Sequence, residues 1–387
     1  MSGNSYRIAI IGSGPGGLSA ASRAAELGVS HILLEAEPHI CNTIFHYQKG
    51  KHVMDEPRVL PLRSPIKFNA AKREEVLEVW QTGIDAHKVN LKCNAEVTAI
   101  NGSKGGFEIT LKQGGTINAE HIVLAVGVQG NPRMLGIPGE AAPLVQYTLD
   151  DPDEYEDEHI VVVGGGDAGI ENAIALCGHN TVYMVNRQPE FTRAKEANNA
   201  AILDKIEKGV IECFYQANSV RIEQNPEGAA QKAVLVLETP EGEAEVPFDR
   251  IIARLGAIPP RKFIEACGIH FPNADMGAVP ELSDQYESNV PGIYIVGALG
   301  GYPLIKQCMN QGYEVVEYIQ GTPVEPADEP LLKARFEKIP GKPAVNQALR
   351  SIRKIVPLLS GLTVLQLREF FLDSEICIAV PGDYIFR

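Results

Sequence analysis

An α/β fold, built on a repeated strand–turn–helix–strand unit, is what the sequence predicts, on three observations. Tyr6 to Glu35 reads as strand, glycine turn, helix and second strand. The same pattern returns between Ile160 and Val185. The chain has 387 residues, 44% of them apolar, which is enough for two or three domains with cores of their own. Two Rossmann-like units and a C-terminal extension follow from these.

In the first unit, Arg7 to Ile11 is an apolar run suited to a buried strand. It enters Gly12, Gly14 and Gly17 in G-x-G-x-x-G spacing, with Pro15 inside the turn. Gly12 permits a tight turn, Gly14 lets a pyrophosphate approach the backbone, and Gly17 lets helix and strand pack closely. Leu18 to Leu27 is alanine-rich and helical, and its N-terminus offers N–H groups to an anion. Ile32 to Leu34 is the second strand, closed by Glu35, 23 residues after Gly12. A carboxylate there accepts hydrogen bonds from a ribose diol.

Composition narrows the partners. A formal net charge of −14 disfavours nucleic acid and anionic membrane surfaces. No apolar run is long enough to span a bilayer, and the N-terminus carries no secretion signal, so a cytoplasmic protein is expected. The seven cysteines, Cys41, Cys93, Cys177, Cys213, Cys267, Cys308 and Cys377, form no C-x-x-C. That scatter argues against a disulfide framework or a metal knot.

Further along, His39 to Pro57 is a polar loop, and Arg73 to Ala86 is helical. Leu91 to Leu111 is strand-like, broken at Asn101-Gly102-Ser103 and Gly105-Gly106, and His121 to Gly127 is a buried strand ending beside a ligand. Asp150 to Glu158 holds seven carboxylates in nine residues and reads as a solvated connection, or as a docking surface for a basic partner.

The second unit has Ile160 to Val163 as strand, Gly164, Gly166 and Gly169 as its turn, Ile170 to Leu176 as helix and Val182 to Val185 as the next strand. Its end differs from the first. Where Glu35 would stand, the chain reads Asn186-Arg187, then Phe191, Arg193 and Lys195. Guanidinium groups bind a 2′-phosphate that a carboxylate would repel, so this unit suits NADP(H). Asp167 reads as a structural cap at the helix N-terminus. Residues 197–209 read as a helix, and Cys213 to Glu223, Lys232 to Leu237, Phe248 to Leu255 and Asn289 to Val296 as strands. Pro303 to Ile319 reads as a helix whose first turn can direct N–H groups at an electron-rich ligand edge. Residues 321–344 read as a linker, and helix resumes near Val345 to Ile355.

These marks together resemble the thioredoxin-reductase-like group of pyridine nucleotide:disulfide oxidoreductases. The resemblance rests on Gly12-Ser-Gly-Pro-Gly-Gly17, Glu35, Ala125-Val-Gly127, Ile137-Pro-Gly139, Gly164-Gly-Gly-Asp-Ala-Gly169 and Pro291-Gly-Ile-Tyr-Ile-Val-Gly297, across roughly residues 6–320. It implies a discontinuous FAD domain (1–141 and 258–325) with an NADPH domain (142–257) inserted, then an arm (326–350) and a final segment (351–387). It also implies a homodimer. It places Gly12, Gly14, Pro15 and Gly17 on the FAD pyrophosphate, Glu35 on its ribose, the Val97 backbone on adenine, and Gly127, Gly297 and Ala298 along the flavin. Gly164, Gly166, Gly169 and Gly256 fall to NADPH, with Arg187 and Arg193 on its 2′-phosphate.

Two departures qualify this. Residues 138–163 contain no cysteine, so the family's dithiol relay is missing, and Ala298 stands where an aspartate is usual. The resemblance then implies an NADPH-dependent flavoprotein oxidoreductase with no side chain singled out as catalytic. His46 and Cys308 read as a surface histidine and a core cysteine. The acceptor is left open among a disulfide, a ferredoxin-like protein, a quinone or a module beyond the C-terminus. A redox-sensing or regulatory FAD/NADP(H)-binding protein is the alternative, and a flavin-free nucleotide scaffold a third. The tail, Pro357-Leu-Leu-Ser-Gly-Leu-Thr363 with Val380 to Arg387, resembles the opening of a cyclic-nucleotide-binding domain whose phosphate cassette would lie further on.

Overall fold

The first apolar run becomes β1 (Ser5–Ile11), whose last four residues are buried. The computed structural model describes residues 5–275, 277–377, 379–380 and 382. The chain divides into two compact units: one takes the residues up to 45, 52–128 and 259 onward, the other 46–51 and 129–258.

In the first unit β1 leads into α1 (Pro15–Glu26), β2 (His31–Leu34) and α2 (Asn42–Phe45). The short β3 (His52–Val53) and β4 (Ala71–Lys72) pair with each other, and α3 (Arg73–Ala86) follows. Then come β5 (Leu91–Lys92), β6 (Val97–Ser103), β7 (Gly106–Leu111) and β8 (Thr116–Leu124). The sheet runs β5-β2-β1-β8-β7-β6. Its centre is parallel, with Ile10 beside both Leu33 and Val123, and β6 to β8 form an antiparallel meander. The turn expected at Asn101-Gly102-Ser103 is strand instead. Gly102 adopts φ +104° within β6, and a Cβ there would collide with the Gly106 carbonyl, so the glycine serves close pairing rather than a turn.

The second unit opens with β9 (Val145–Gln146) and β10 (His159–Val163), followed by α4 (Asp167–Leu176), β11 (Thr181–Asn186) and α5 (Glu196–Glu207). The strands β12 (Ile211–Tyr215), β13 (Asn218–Gln224), β14 (Ala233–Thr239), β15 (Gly242–Phe248) and β16 (Arg250–Ala253) complete it. A parallel sheet β12-β11-β10-β16-β9 stands beside an antiparallel β13-β14-β15. Two runs expected as single strands are therefore pairs of strands in different sheets. Cys213 to Glu223 breaks at Gln216, which takes φ +51°. Phe248 to Leu255 breaks at Asp249, whose N–H donates to the His159 carbonyl (2.8 Å) and whose carboxylate accepts from the His159 N–H (2.9 Å).

The acidic segment is largely solvated, as its charge suggests, with Asp150, Asp153, Glu154, Glu156 and Asp157 exposed, and it is also tied down by ion pairs. Asp150 pairs with His46 (3.1 Å), Asp151 with Lys49 (2.6 Å), and the half-buried Glu158 takes both a 2.8 Å and a 3.0 Å bond from Arg250. Bases placed a hundred residues away in sequence offset part of the self-repulsion that a solvated reading assumes.

The chain re-enters the first unit with α6 (Arg261–Ala266), β17 (Ile293–Ile295), which joins β8 in parallel, and α7 (Ile305–Gln320). Of the Asn289–Val296 run, Ile293 to Ile295 pair. Helix α7 lies directly on α1. A Cβ on Gly312 would collide with the Gly16 carbonyl, Ser19 Oγ donates to the Met309 carbonyl (2.6 Å), and Arg23 bonds Glu317 (2.7 Å).

Residues 321–344, expected as a linker, contain α8 (Glu329–Phe336). With α9 (Val345–Ile355) and α10 (Val364–Leu372) it encloses a small core of Leu332, Phe336, Val345, Leu349, Leu367 and Phe371. This core explains the ordering: the apolar residues of the charged stretch have a partner surface that local composition does not reveal. Arg368, 1% exposed, bonds both Asp328 oxygens (3.0 and 2.6 Å), Glu329 (2.8 Å) and Asn346 (2.7 Å), while Tyr302 donates to Asp328 (2.9 Å). Pro357 to Leu359 is a short 3-10 turn, and Thr363 caps α10 in a capping box with Gln366. The strand pattern expected at Val380 to Arg387 falls largely on Pro381 and residues 383–387, outside the described residues. Among the described residues no helix is long and apolar enough to cross a membrane.

Arg368→Met leaves Asp328 buried without its cation and is expected to cost about 3–5 kcal/mol. Urea unfolding with hydrogen exchange tests this. Faster exchange concentrated in α8 to α10 is the expected pattern, and unchanged exchange there would show that the network does not hold the extension.

Candidate functional site

The two glycine turns are built alike, and their glycines fall into two kinds. Gly12 adopts φ +97°, and a Cβ on it would lie 2.6 Å from the Ala125 carbonyl oxygen. A Cβ on Gly17 would collide with the Gly12 carbonyl. Between them Gly14 is open, the nearest atom to its absent Cβ being the Ala125 oxygen at 3.7 Å. The second turn repeats this. Gly164 (φ +125°) meets the Arg254 carbonyl, Gly169 meets the Gly164 carbonyl, and Gly166 meets nothing within 4 Å. Gly14 and Gly166 are the N-caps of α1 and α4, and neither helix has a side-chain cap on its first N–H groups. Pro15, with no N–H to lose, fills the first position of α1. Each turn is a cradle open at one point, beside unpaired donors, which fits a phosphate group.

Glu35 lies at the end of β2, 7% exposed. One oxygen accepts from Ser13 N–H (2.8 Å) and Ser13 Oγ (2.5 Å), and the other from Glu37 N–H (3.0 Å). These bonds fix the carboxylate against the glycine turn and leave lone pairs for a diol. Ser13 also accepts from the Cys41 N–H (3.0 Å) and takes the Cys41 thiol on its carbonyl (3.0 Å). Ser13 was not singled out from sequence, although its place between two turn glycines marks it. Ala95 N–H donates to the Glu35 carbonyl (2.7 Å), which brings the backbone leading to Val97 beside the carboxylate.

Gly127 follows β8 with φ +62° and open space, while Gly297, Ala298 and the start of α7 follow β17. Gly297 N–H donates to Gln311 Oε1 (2.7 Å). One turn earlier on the same face, Gln307 is 2% exposed, and neither its Oε1 nor its Nε2 has a protein partner. A buried amide with both ends unpaired is costly and points to a polar ligand group. Cys308 is no candidate nucleophile: burial pushes its thiol up to about 12, and the sulfur donates to the Tyr302 carbonyl (3.1 Å). Burial also holds Cys41 well above the ordinary thiol range, and all seven cysteines are free.

Further along α7, Glu314 accepts from Tyr286 OH (2.5 Å) and Ala327 N–H (2.6 Å) and lies 3.3 Å from Arg63. Burial raises its carboxyl to about 7 despite these donors. The polar set Gln307, Gln311 and Glu314 at helical spacing on an otherwise buried helix is the signal that marks this face in the sequence.

In the second unit Arg187 and Arg193 are exposed, and among the described residues neither holds an ion pair. Asp167 does not cap its own helix. Its Oδ1 accepts from Lys195 N–H (2.9 Å) and Asn198 Nδ2 (2.8 Å), which ties the start of α5 to the glycine turn, because the loop returning from β11 reaches the carboxylate. Asn186 folds that loop back by accepting from Gln188 N–H (3.3 Å) and donating to the Glu190 carbonyl (3.0 Å). Gly256 takes φ +84° in open space, and its carbonyl accepts from Arg133 N–H (2.9 Å). His46 belongs to this unit, on Asp150.

Residues 9–297 match the family model for pyridine nucleotide-disulphide oxidoreductase. The chain belongs to that family. This oxidoreductase is of the FAD-dependent, NAD(P)H-using type that lacks a C-x-x-C pair. It is 26% identical over 318 residues to a ferredoxin–NADP reductase of Ignicoccus hospitalis, covering 79% of this chain and 93% of the relative. The bacillithiol disulfide reductase of Staphylococcus aureus shares its fold, with TM-score 0.73 at 19% identity over 82% of this chain and 99% of that one. The thioredoxin reductase of Lactococcus lactis does so with TM-score 0.64 at 22% identity, over 82% and 98%. These comparisons lend no support to the cyclic-nucleotide-binding segment expected at the C-terminus of this oxidoreductase.

The raised Glu314 carboxyl has a signed consequence. Its folded pKa lies above the unfolded value, so the proton it holds stabilises the fold at low pH, and that contribution is lost as pH rises from about 4.5 toward 7. Urea unfolding of wild type and Glu314→Gln at pH 4.5 and pH 7.5 is the test. Wild type is expected to lose about 2–3 kcal/mol relative to the variant across that interval, and parallel stabilities would show that Glu314 titrates normally.

Proposed function

We propose that this oxidoreductase takes electrons from NADPH and passes them through FAD to an acceptor outside the chain. The contrast between the ends of its two glycine turns carries the reading. One ends on a buried, oriented carboxylate, Glu35, and the other on two exposed guanidinium groups, Arg187 and Arg193. A ribose diol suits the first and a 2′-phosphate the second.

In this reading Gly12, Gly14, Pro15 and Gly17 cradle the FAD pyrophosphate, Glu35 takes the ribose, and the Val97 backbone meets adenine. Gly127, Gly297, Ala298 and the start of α7 line the flavin end, where the unpaired Gln307 amide would find a ring carbonyl or imide. Gly164, Gly166, Gly169 and Gly256 receive NADPH. When bound, FAD supplies the ring that accepts a hydride and passes electrons onward. The chain orients the two nucleotides. The chain has no C-x-x-C, and burial holds the Cys41 and Cys308 thiols above their ordinary range, so in this reading the acceptor meets the flavin directly. A ferredoxin-type protein is the acceptor class that the name of the Ignicoccus hospitalis relative supports. The second reading, a regulatory protein with little turnover, draws on Ala298, a methyl group where the family's resemblance leads one to expect an acid.

An anaerobic visible spectrum decides between them. Flavin absorbance is expected to bleach rapidly with NADPH and slowly with NADH, and Arg187→Ala to narrow that difference by on the order of tenfold or more. A yellow protein that neither nucleotide reduces would support the regulatory reading, and a colourless one that cannot be reconstituted would exclude both. The two kinds of glycine give a second test. Gly14→Ala is expected to lose flavin content while matching the Tm of flavin-stripped wild type, whereas Gly17→Ala should fall below that flavin-free Tm, because its Cβ collides with the Gly12 carbonyl. Equal flavin content in Gly14→Ala and wild type would remove FAD from that turn.

A further inference from the structure

We propose that Arg254 binds the nicotinamide-side phosphate of the dinucleotide in the second unit. This rests on the NADPH reading above and adds a contact that the sequence motif does not contain.

Arg254 is the first residue after β16, and β16 is the strand beside β10 on the flank opposite β11. All five strands of this sheet run parallel, so the chain order reverses direction across β10. In such sheets ligands bind in the crevice at the carboxyl ends of the strands, where the order switches. Arg254 stands at that point. Its carbonyl is the atom that forces glycine at position 164, and its Cβ would lie 3.7 Å from a Cβ on Gly169. Its Nη1 donates to the Tyr147 carbonyl (2.5 Å), just beyond the end of β9. The guanidinium therefore reaches across the carboxyl edge of β16 and β9, from a backbone that packs against Gly164 and Gly169 of the glycine turn.

This cation has no carboxylate in direct contact among the described residues. Its Nε is buried and has no partner, and among the described residues it forms no ion pair. Burial lowers its pKa, and the carboxylates whose charge reaches it are committed elsewhere: Asp150 to His46 (3.1 Å), and Glu171 to Lys51 (2.6 Å) and Asn198 (3.2 Å). A half-buried guanidinium with a spare donor needs an anion from outside the chain. Arg187 and Arg193 lie after β11, on the adenosine flank of the glycine turn. Arg254 lies on the other flank, so the anion it meets is the phosphate further from adenosine.

Isothermal titration of the FAD-loaded full chain with NADP⁺ and with 2′,5′-ADP separates the parts, because the second ligand ends before that phosphate. Arg254→Met is expected to weaken NADP⁺ by on the order of tenfold or more while leaving 2′,5′-ADP within about twofold, and Arg187→Ala to weaken both. NADP⁺ affinity unchanged in Arg254→Met, or an equal loss for both ligands, would overturn the assignment. If Arg254→Met does not fold, Arg254→Gln, which keeps a donor for Tyr147, is judged by the same ratio. A wild-type chain that binds neither ligand would instead overturn the NADP reading on which this rests.

Discussion

The contact on which the first unit depends is the backbone approach of α7 to α1. Gly16 lies against the Cys308 carbonyl, Gly312 against the Ala20 nitrogen, and Arg23 bonds Glu317, so the two helices run in the same direction with their N-termini at one end. One terminus opens at Gly14 and the other at Leu304, and both direct positive dipole ends at one region. Residues nearly three hundred positions apart are thereby held to the tolerance of a missing side chain. The buried polar face of α7 is consistent with this: it bonds Gly297, Tyr286 and Ala327, and leaves the Gln307 amide without a protein partner.

The second unit solves the same packing problem with different chemistry. Its glycine turn is closed by the Arg254 carbonyl instead of an alanine, and its flanks are cationic where the first unit presents Glu35. Asp167 and Asn186 spend their hydrogen bonds on shaping the loops that carry Arg187 and Arg193. The division of labour is electrostatic: one fold, repeated, with the sign of the charge at its edges reversed.

Both turns were legible in the sequence because each glycine answers a local demand of the backbone, and local demands leave local signatures. The strands of the parallel cores were legible for the same reason. What escaped depended on distant partners. The hairpin at Gly102 continues as strand because of Gly106 across the ladder, and the break at Asp249 follows from its bonds to His159, ninety residues away. Helix α8 forms in a charged, proline-bearing stretch because α9 and α10 cover its apolar residues, and the acidic run at 150–158 is tied down by Lys49 and His46. Arg254 could not be read as a ligand candidate from its neighbours, since the case for it rests on strand order and on its having no ion pair among the described residues.

Gly12, Gly17, Gly164 and Gly169 are held by the backbone: a replacement there fails at folding, whatever the protein does. Gly14 and Gly166 have ordinary negative φ angles and space beside them, so the fold alone would let either wander. A descendant released from nucleotide binding would be expected to keep the first four and lose the other two, a scar that records the order in which constraints lapsed. This chain carries glycine at both free positions.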